Sequence, residues 1–186
     1  MPRVPAADSP GLLGWVAYRI ARRRFGQLPE PLTRWAHSRR ILLGVTTFER
    51  SVSHWTELDP ASKVLATLRA AQVIGCPWCI DFGSMLSRAD GVSEQQLREL
   101  HRWRTSDAYT PAQRLCLDYA EAASATPLAV TDAQVQALRA VLSDAAVVEL
   151  AMMVAVEHQR SRFNGGLGLA SQGFTQGACA VGAGSA

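Results

Sequence analysis

AAQVIGCPWCIDF, residues 70–82, is the stretch that decides the fold. The residues before the two cysteines, 63–74, have helical spacing of their apolar side chains, whereas a thioredoxin fold needs strands rich in Val and Ile around its Cys-x-x-Cys motif. Pro77 suits the first turn of a helix, because that position needs no backbone N–H. The stretch therefore excludes a thioredoxin fold and predicts Cys76 at a helix N-terminus, with Cys79 one turn further on.

Two cysteines at this spacing predict a redox-active dithiol, because they can close a small disulfide ring. Unpaired N–H groups at a helix N-terminus favour negative charge, which indicates a lowered pKa for Cys76 and makes it the attacking thiolate. Two alternatives stay open, half of a zinc site and a pair of unreactive buried thiols. A zinc site needs a second pair of ligands, and Cys116, Cys179 and the 4 histidines show no ligand spacing. We therefore expect no metal and no organic cofactor.

Helix signals recur along the whole chain, and alternating strand patterns are nearly absent. Ser93 with Gln96, and likewise the pairs 110/113 and 131/134, predict capping boxes that start helices. The predicted class is all-α, with about eight helices joined by short turns. The predicted helices cover residues 12–25, 32–55 with an interruption near Ser38 or Gly44, 60–74, 77–88, 94–103, 111–124, 132–142 and 144–164.

Composition divides the chain into three predicted regions: a basic arm or helix at 1–30, a helical domain at 31–172 and a flexible Gly/Ala-rich tail at 173–186. The net charge of +3 comes mainly from arginines near the start of the chain. No nucleic-acid-binding motif accompanies them, so we expect an arm that is solvated or contacts another subunit, and no nucleic-acid partner. The N-terminus lacks the apolar stretch of a signal peptide, and no apolar run approaches the roughly 20 residues that span a bilayer. We expect a cytoplasmic protein without a membrane partner.

The combination of a helix, Gln72, Gly75-Cys-x-x-Cys and a second helix resembles the carboxymuconolactone decarboxylase and AhpD-like alkylhydroperoxidase superfamily. The likeness is strongest over residues 58–92 and continues more weakly to residue 172, through RSRFN at 160–164. It implies an AhpD-like helical domain and a homo-oligomer, either a trimer or a multiple of one. It also implies that Cys79 attacks the peroxide and that Cys76 resolves the intermediate, the reverse of the order that the helix end favours.

The function that this resemblance implies is thiol–disulfide oxidoreduction, with antioxidant reduction of a small-molecule peroxide through Cys76 and Cys79. A thiol or disulfide electron donor would complete the cycle. One alternative is decarboxylation or isomerisation of a lactone, the other chemistry of the family. The second alternative is no enzyme at all but an oligomeric redox switch.

The proton relay of the peroxidase members is missing at its two family positions. The usual glutamate is Val64 and the usual histidine is Gly83. Glu157 is the candidate replacement, because His158 adjoins it and it lies on the face of a long apolar helix that also carries Glu149. Carboxylates in such surroundings tend to have raised pKa values. The alternative for Glu157 is an ion pair with Arg160 within the helix.

Other side chains near the cysteines have two interpretations each. Trp78 either shields the pocket or belongs to the core, and Asp81 is expected to be a helix-surface or capping acid. Cys116, between two leucines, is expected to be a small buried hydrophobe. The candidate substrate-pocket residues are Arg69, Gln72, Trp78 and His158.

Overall fold

The computed structural model describes residues 1–175, and all the regular elements within them are helices. The predicted all-α class is confirmed. Nine α-helices are present in this part of the chain: α1 Gly11–Phe25, α2 Glu30–Trp35, α3 Arg39–Val52, α4 Pro60–Ile74, α5 Pro77–Ser87, α6 Glu94–Glu99, α7 Pro111–Ser124, α8 Asp132–Arg139 and α9 Asp144–Gly166. Two 3-10 segments, Arg88–Asp90 and Leu100–Thr105, follow α5 and α6.

Local capping explains most of the helix boundaries. The predicted capping boxes are present at the starts of α6, α7 and α8. The predicted interruption in residues 32–55 falls at Ser38, whose extended backbone and side-chain cap on the Ile41 N–H start α3 as a separate helix. The predicted helix at 94–103 is α-helical only to Glu99 and continues as a 3-10 segment.

The described chain divides into two compact units. The first contains Met1–Trp55 and Asn164–Ala170, with a small core of Ala21, Leu32 and Leu42. Within it, the Arg3 guanidinium donates a hydrogen bond of 2.8 Å to the carbonyl oxygen of Gly166. The division into an arm at 1–30 and a domain at 31–172 stays a prediction.

The second unit contains Thr56–Phe163 and the chain from Ser171 onward, and it carries both cysteines of the motif. In this unit α4 packs against α5 and α7. Its main apolar cluster includes the alanines Ala66, Ala70 and Ala120, which are 0% exposed, and Leu150 of α9. Small side chains let the axes of packed helices approach closely.

Two predictions concern the ends and surroundings of the chain. Residues 176–186, which form most of the predicted tail and include Cys179, lie outside the described residues. Among residues 1–175, no helix is long and apolar enough to cross a membrane. The cytoplasmic location stays a prediction.

Candidate functional site: a buried disulfide at the start of α5

Cys76 occupies the N-cap of α5, as predicted. The preceding helix ends at Gly75, which has a left-handed backbone with φ of 79°, a conformation that glycine adopts without strain. Cys76 is extended, Pro77 takes the first helical position, and the Cys76 sulfur accepts the backbone N–H of Cys79 at 3.2 Å. The two sulfurs therefore meet at the positive end of the helix dipole.

Cys76 and Cys79 form a disulfide, with their Cα atoms 5.3 Å apart. The bond is buried, since Cys76 is only 2% exposed and Cys79 only 7%. The structure thus shows the oxidised form of the predicted dithiol. Within residues 1–175, no group of three or more His, Cys, Asp or Glu side chains is arranged to hold a metal ion.

Ser161 of α9 connects Cys79 to a buried carboxylate. Its hydroxyl oxygen lies 3.3 Å from the Cys79 sulfur and 2.7 Å from Oε1 of Glu157. Glu157 and Ser161 are four residues apart on α9, so they share one face of that helix. All three side chains are buried, with Ser161 at 2% and Glu157 at 3% exposure. The Ser161 hydroxyl group therefore lies between the carboxylate of the predicted Glu157 and the Cys79 sulfur.

The ion pair expected for Glu157 is also present. Arg160 Nη1 lies 3.6 Å from Oε2 of Glu157, whereas Ser161 contacts Oε1. The two interpretations of Glu157 do not exclude each other, because the carboxylate has an oxygen for each partner.

Asp81 is neither a surface acid nor a cap of its own helix, contrary to the expectation. It is 5% exposed, and its carboxylate accepts five hydrogen bonds from residues 171–175. Burial alone would raise the pKa of Asp81, but the donors of Ser171, Phe174 and Thr175 outweigh burial and lower it. The physical reason is tertiary, since the donors lie about ninety residues further along the chain.

The segment that Asp81 holds completes an aromatic cluster beside the disulfide. Trp78 stacks on Phe82 with ring centroids 4.7 Å apart, and Phe174 meets both rings edge-on. The indole N–H of Trp78 donates to Oε1 of Gln172 at 2.7 Å. Trp78 thus belongs to the apolar cluster that contains both cysteines, and a role in shielding a pocket stays a prediction.

Arg69 and Gln72 are brought together, but around a different carboxylate. Arg69 Nε donates to Glu121 at 2.6 Å, and its Nη1 donates to the side-chain oxygen of Gln72 at 2.9 Å. Burial raises the pKa of Glu121, but the Trp103 indole and Arg69 outweigh it, so the net pKa is lowered. A role for Arg69 and Gln72 in binding substrate stays a prediction.

His158 adjoins Glu157 in sequence and has a partner of its own. Its Nε2 lies 3.1 Å from the Ser124 hydroxyl oxygen, and it lines a depression of about 320 Å³ together with Tyr119 and Leu128. Burial and the charge of Arg162 lower the pKa of His158, so the neutral imidazole is favoured. Its assignment to the substrate pocket is a prediction that the geometry leaves open.

The two family relay positions lie among apolar side chains. Val64 packs against the cluster that contains Leu65 and Leu68. A Cβ atom added at Gly83 would come within 2.8 Å of a Leu68 methyl group, so a larger side chain there requires Leu68 to move. Val64 and Gly83 therefore contribute to packing, and neither residue can transfer a proton.

Sequence reasoning missed Ser161, Gln172 and Phe174. Ser161 carries one sequence signal, because it lies four residues after Glu157 on a predicted helix and therefore shares its face. Gln172 and Phe174 carry none, since their positions depend on the Asp81 contacts. Only tertiary packing shows that the Glu157 face of α9 meets the first turn of α5.

The fold and the buried dithiol define an AhpD-like helical protein, and comparison with known proteins identifies its family. The profile of the carboxymuconolactone decarboxylase family matches residues 42–122. The chain is 33% identical over 159 residues to the uncharacterised protein YnjA of Escherichia coli (strain K12), covering 83% of this chain and 86% of that protein. The chain belongs to the carboxymuconolactone decarboxylase family and its AhpD-like superfamily.

Two solved structures show the same fold. A protein of unknown function from Agrobacterium tumefaciens, described as a candidate AhpD of antioxidant defence, is 27% identical with a TM-score of 0.67, over 73% of this chain and 92% of that one. The debrominase Bmp8 has a TM-score of 0.82 at 18% identity, over 95% of both chains. Because its identity is so low, Bmp8 is evidence for the fold alone.

Proposed function

We propose that this protein is a thiol–disulfide oxidoreductase that reduces peroxides through Cys76 and Cys79. The observation that carries the proposal is the buried disulfide on the first turn of α5. Oxygen–oxygen bond reduction takes two electrons, and a neighbouring dithiol supplies both when it closes to a disulfide.

The oxidative half of the reaction needs no reductant other than the two cysteines. One cysteine sulfur attacks a peroxide oxygen, an S–O bond forms and the O–O bond breaks, so that ROOH leaves as ROH and the sulfur becomes a sulfenic acid. The second cysteine then displaces water from the sulfenic acid and forms the disulfide. An external dithiol returns two electrons and two protons in the reductive half. This donor would be a small-molecule dithiol or the dithiol of another protein.

The alternative of lactone decarboxylation depends on acid/base side chains at the family positions. Val64 and Gly83 cannot move a proton, and both are packed among apolar neighbours. The dithiol does not need those two positions in order to exchange electrons with a peroxide or a disulfide. The site geometry therefore favours thiol chemistry over lactone chemistry.

The proposal predicts that peroxide oxidises the reduced protein with one equivalent of alcohol formed per disulfide. Mass spectrometry should show the loss of two hydrogens on the peptide that contains both cysteines. With dithiothreitol as donor, Cys76→Ser and Cys79→Ser should each lower peroxide turnover by about 100-fold or more. Cys116→Ala is the matched control and should retain turnover, because Cys116 is 1% exposed and burial raises the pKa of its thiol to about 12.

Two results would contradict the peroxidase proposal. A disulfide that forms without stoichiometric alcohol under turnover conditions would instead favour a redox switch. Turnover of a lactone by the Cys76→Ser/Cys79→Ser double variant would favour the acid/base alternative.

We further propose that the protein acts as a homo-oligomer, a trimer or a multiple of one, on a small-molecule peroxide. The support is the family likeness together with the apolar surface of α9, where Val148 is 63% and Met152 42% exposed. Exposed apolar side chains on one helix face favour contact with another protein surface.

A further inference from the structure

We propose that Ser161 is a catalytic residue that carries the proton of Cys79 to Glu157. The proposal rests on the dithiol function given above and adds the proton path that the family positions do not supply. It stands on two distances, 3.3 Å from the Ser161 oxygen to the Cys79 sulfur and 2.7 Å to the Glu157 oxygen.

A serine hydroxyl can act in this way because it both accepts and donates a hydrogen bond. In the reduced protein the Cys79 S–H donates to the Ser161 oxygen, and the Ser161 O–H donates to Glu157. When the sulfur attacks, its proton passes to the Ser161 oxygen while the serine proton passes to Oε1 of Glu157. The same path in reverse returns a proton to the departing alkoxide, so the relay gains and loses no proton over the oxidative step.

The geometry distinguishes the two cysteines. The Cys76 sulfur accepts the backbone N–H of Cys79, a hydrogen bond that stabilises a thiolate. Cys79 has a hydroxyl and, behind it, a carboxylate, which together can remove its proton. A relay at Cys79 agrees with the order that the family resemblance implies, in which Cys79 attacks and Cys76 resolves. The helix-end argument alone gives the opposite order.

Other polar side chains near the relay have hydrogen-bond or ion-pair partners of their own. Arg160 pairs with the second oxygen of Glu157. Asp81, the charged side chain of α5, accepts its hydrogen bonds from residues 171–175. His158 contacts Ser124. Glu157 is consequently the carboxylate that can accept a proton through the Ser161 hydroxyl.

The test uses alkylation of the reduced full-length protein by iodoacetamide, with mass spectrometry to assign the modified cysteine. In the wild type, Cys79 should react first, with a rate that changes little between about pH 6 and about pH 8. In Ser161→Ala and Glu157→Gln the rate at pH 7 should fall by about tenfold or more, because positioned proton transfer is lost. It should then rise about tenfold per pH unit toward the free-thiol pKa of about 8.5.

Two further variants separate proton transfer from packing. Ser161→Thr keeps the hydroxyl and should restore most of the rate, whereas Ser161→Ala combined with Glu157→Gln should be no slower than either single variant. Ser62→Ala is the matched control, since Ser62 is 2% exposed and bonds to the Cys116 thiol elsewhere in the same unit. It should leave the Cys79 profile unchanged.

The relay and the peroxidase proposal fail separately. Initial alkylation at Cys76, or a Ser161→Ala profile identical to the wild type, overturns the relay whatever the enzyme does with peroxide. A wild type that shows the predicted alkylation profile but forms no alcohol from peroxide keeps the relay and overturns the peroxidase function.

Discussion

Glu149 and Glu157 lie eight residues apart on α9, yet their surroundings give them different tasks. Glu149 accepts the backbone N–H groups of Glu57 and Leu58 at 2.6 and 3.1 Å, and it pairs with Lys63. Burial raises its pKa, but Lys63 and the two N–H groups outweigh burial, so the net pKa is lowered. The expectation of a raised pKa was wrong for Glu149, because an apolar helix sequence does not reveal donors from another part of the chain.

Glu149→Gln should lower the free energy of unfolding at pH 7 by about 2 kcal/mol, because it leaves Lys63 without its carboxylate partner. A lowered folded pKa means that this stabilisation is present above the unfolded carboxyl pKa of about 4.3 and is lost as the pH falls through the folded value. Urea unfolding should therefore show a difference between wild type and variant at pH 7 that shrinks in acid. Glu94→Gln is the control, since the side chain of Glu94 is 52% exposed and the change should cost less than about 1 kcal/mol. Equal stabilities of wild type and Glu149→Gln at pH 7 would contradict the expected role.

At the scale of elements, residues 171–175 lie at the boundary between the predicted helical domain, which ends at 172, and the predicted tail, which begins at 173. A Gly- and Ser-containing stretch at the edge of a predicted tail has no helix or strand pattern. In the structure one buried carboxylate, Asp81, collects its amide and hydroxyl hydrogens, and Phe174 packs against Trp78 and Phe82. The segment is thus attached to the first turns of α5, the helix that carries the disulfide.

Asp81→Asn should release this segment, because charge-assisted hydrogen bonds lose strength when the acceptor becomes neutral. Amide hydrogen exchange at Gln172, Phe174 and Thr175 should become about tenfold faster or more, equivalent to about 1.4 kcal/mol. Trp78 emission should shift with it, since the indole loses its Gln172 partner. Asp107→Asn, at an exposed position, is the control and should leave both signals unchanged. Unchanged protection in Asp81→Asn would show that packing of Phe174 alone holds the segment.

At the scale of the whole molecule, assembly depends on which surfaces of the chain are apolar and exposed. The exposed apolar side chains of α9, Val148 and Met152, lie four residues apart and therefore on one face of the helix. In the proposed oligomer, we expect another subunit to cover this face.

Val148→Asp combined with Met152→Glu should lower the mass measured by light scattering from that of an oligomer toward that of a monomer of 20.1 kDa. Burying two carboxylates in an apolar contact without partners opposes association. Ile41→Glu, at a position 51% exposed on α3, is the control for a charge added to an exposed apolar site and should leave the mass unchanged. A monomeric wild type would contradict the oligomer proposal, and dissociation by Ile41→Glu alone would place the contact elsewhere.

The sequence by itself determined the all-α class, the capping boxes and the position of Cys76 at the start of α5. These features depend on neighbours within about four residues, and local hydrogen bonding and helical periodicity are written in such short stretches. It also indicated Glu157, because an acidic residue in an apolar helix stands out.

Only the tertiary structure decided that Ser161 joins Glu157 to Cys79, that Asp81 holds residues 171–175, and that Arg69 turns to Glu121. Each of these contacts joins side chains 52 to 94 residues apart, except the short step from Glu157 to Ser161. Such partners meet through the packing of whole helices, which no local pattern specifies.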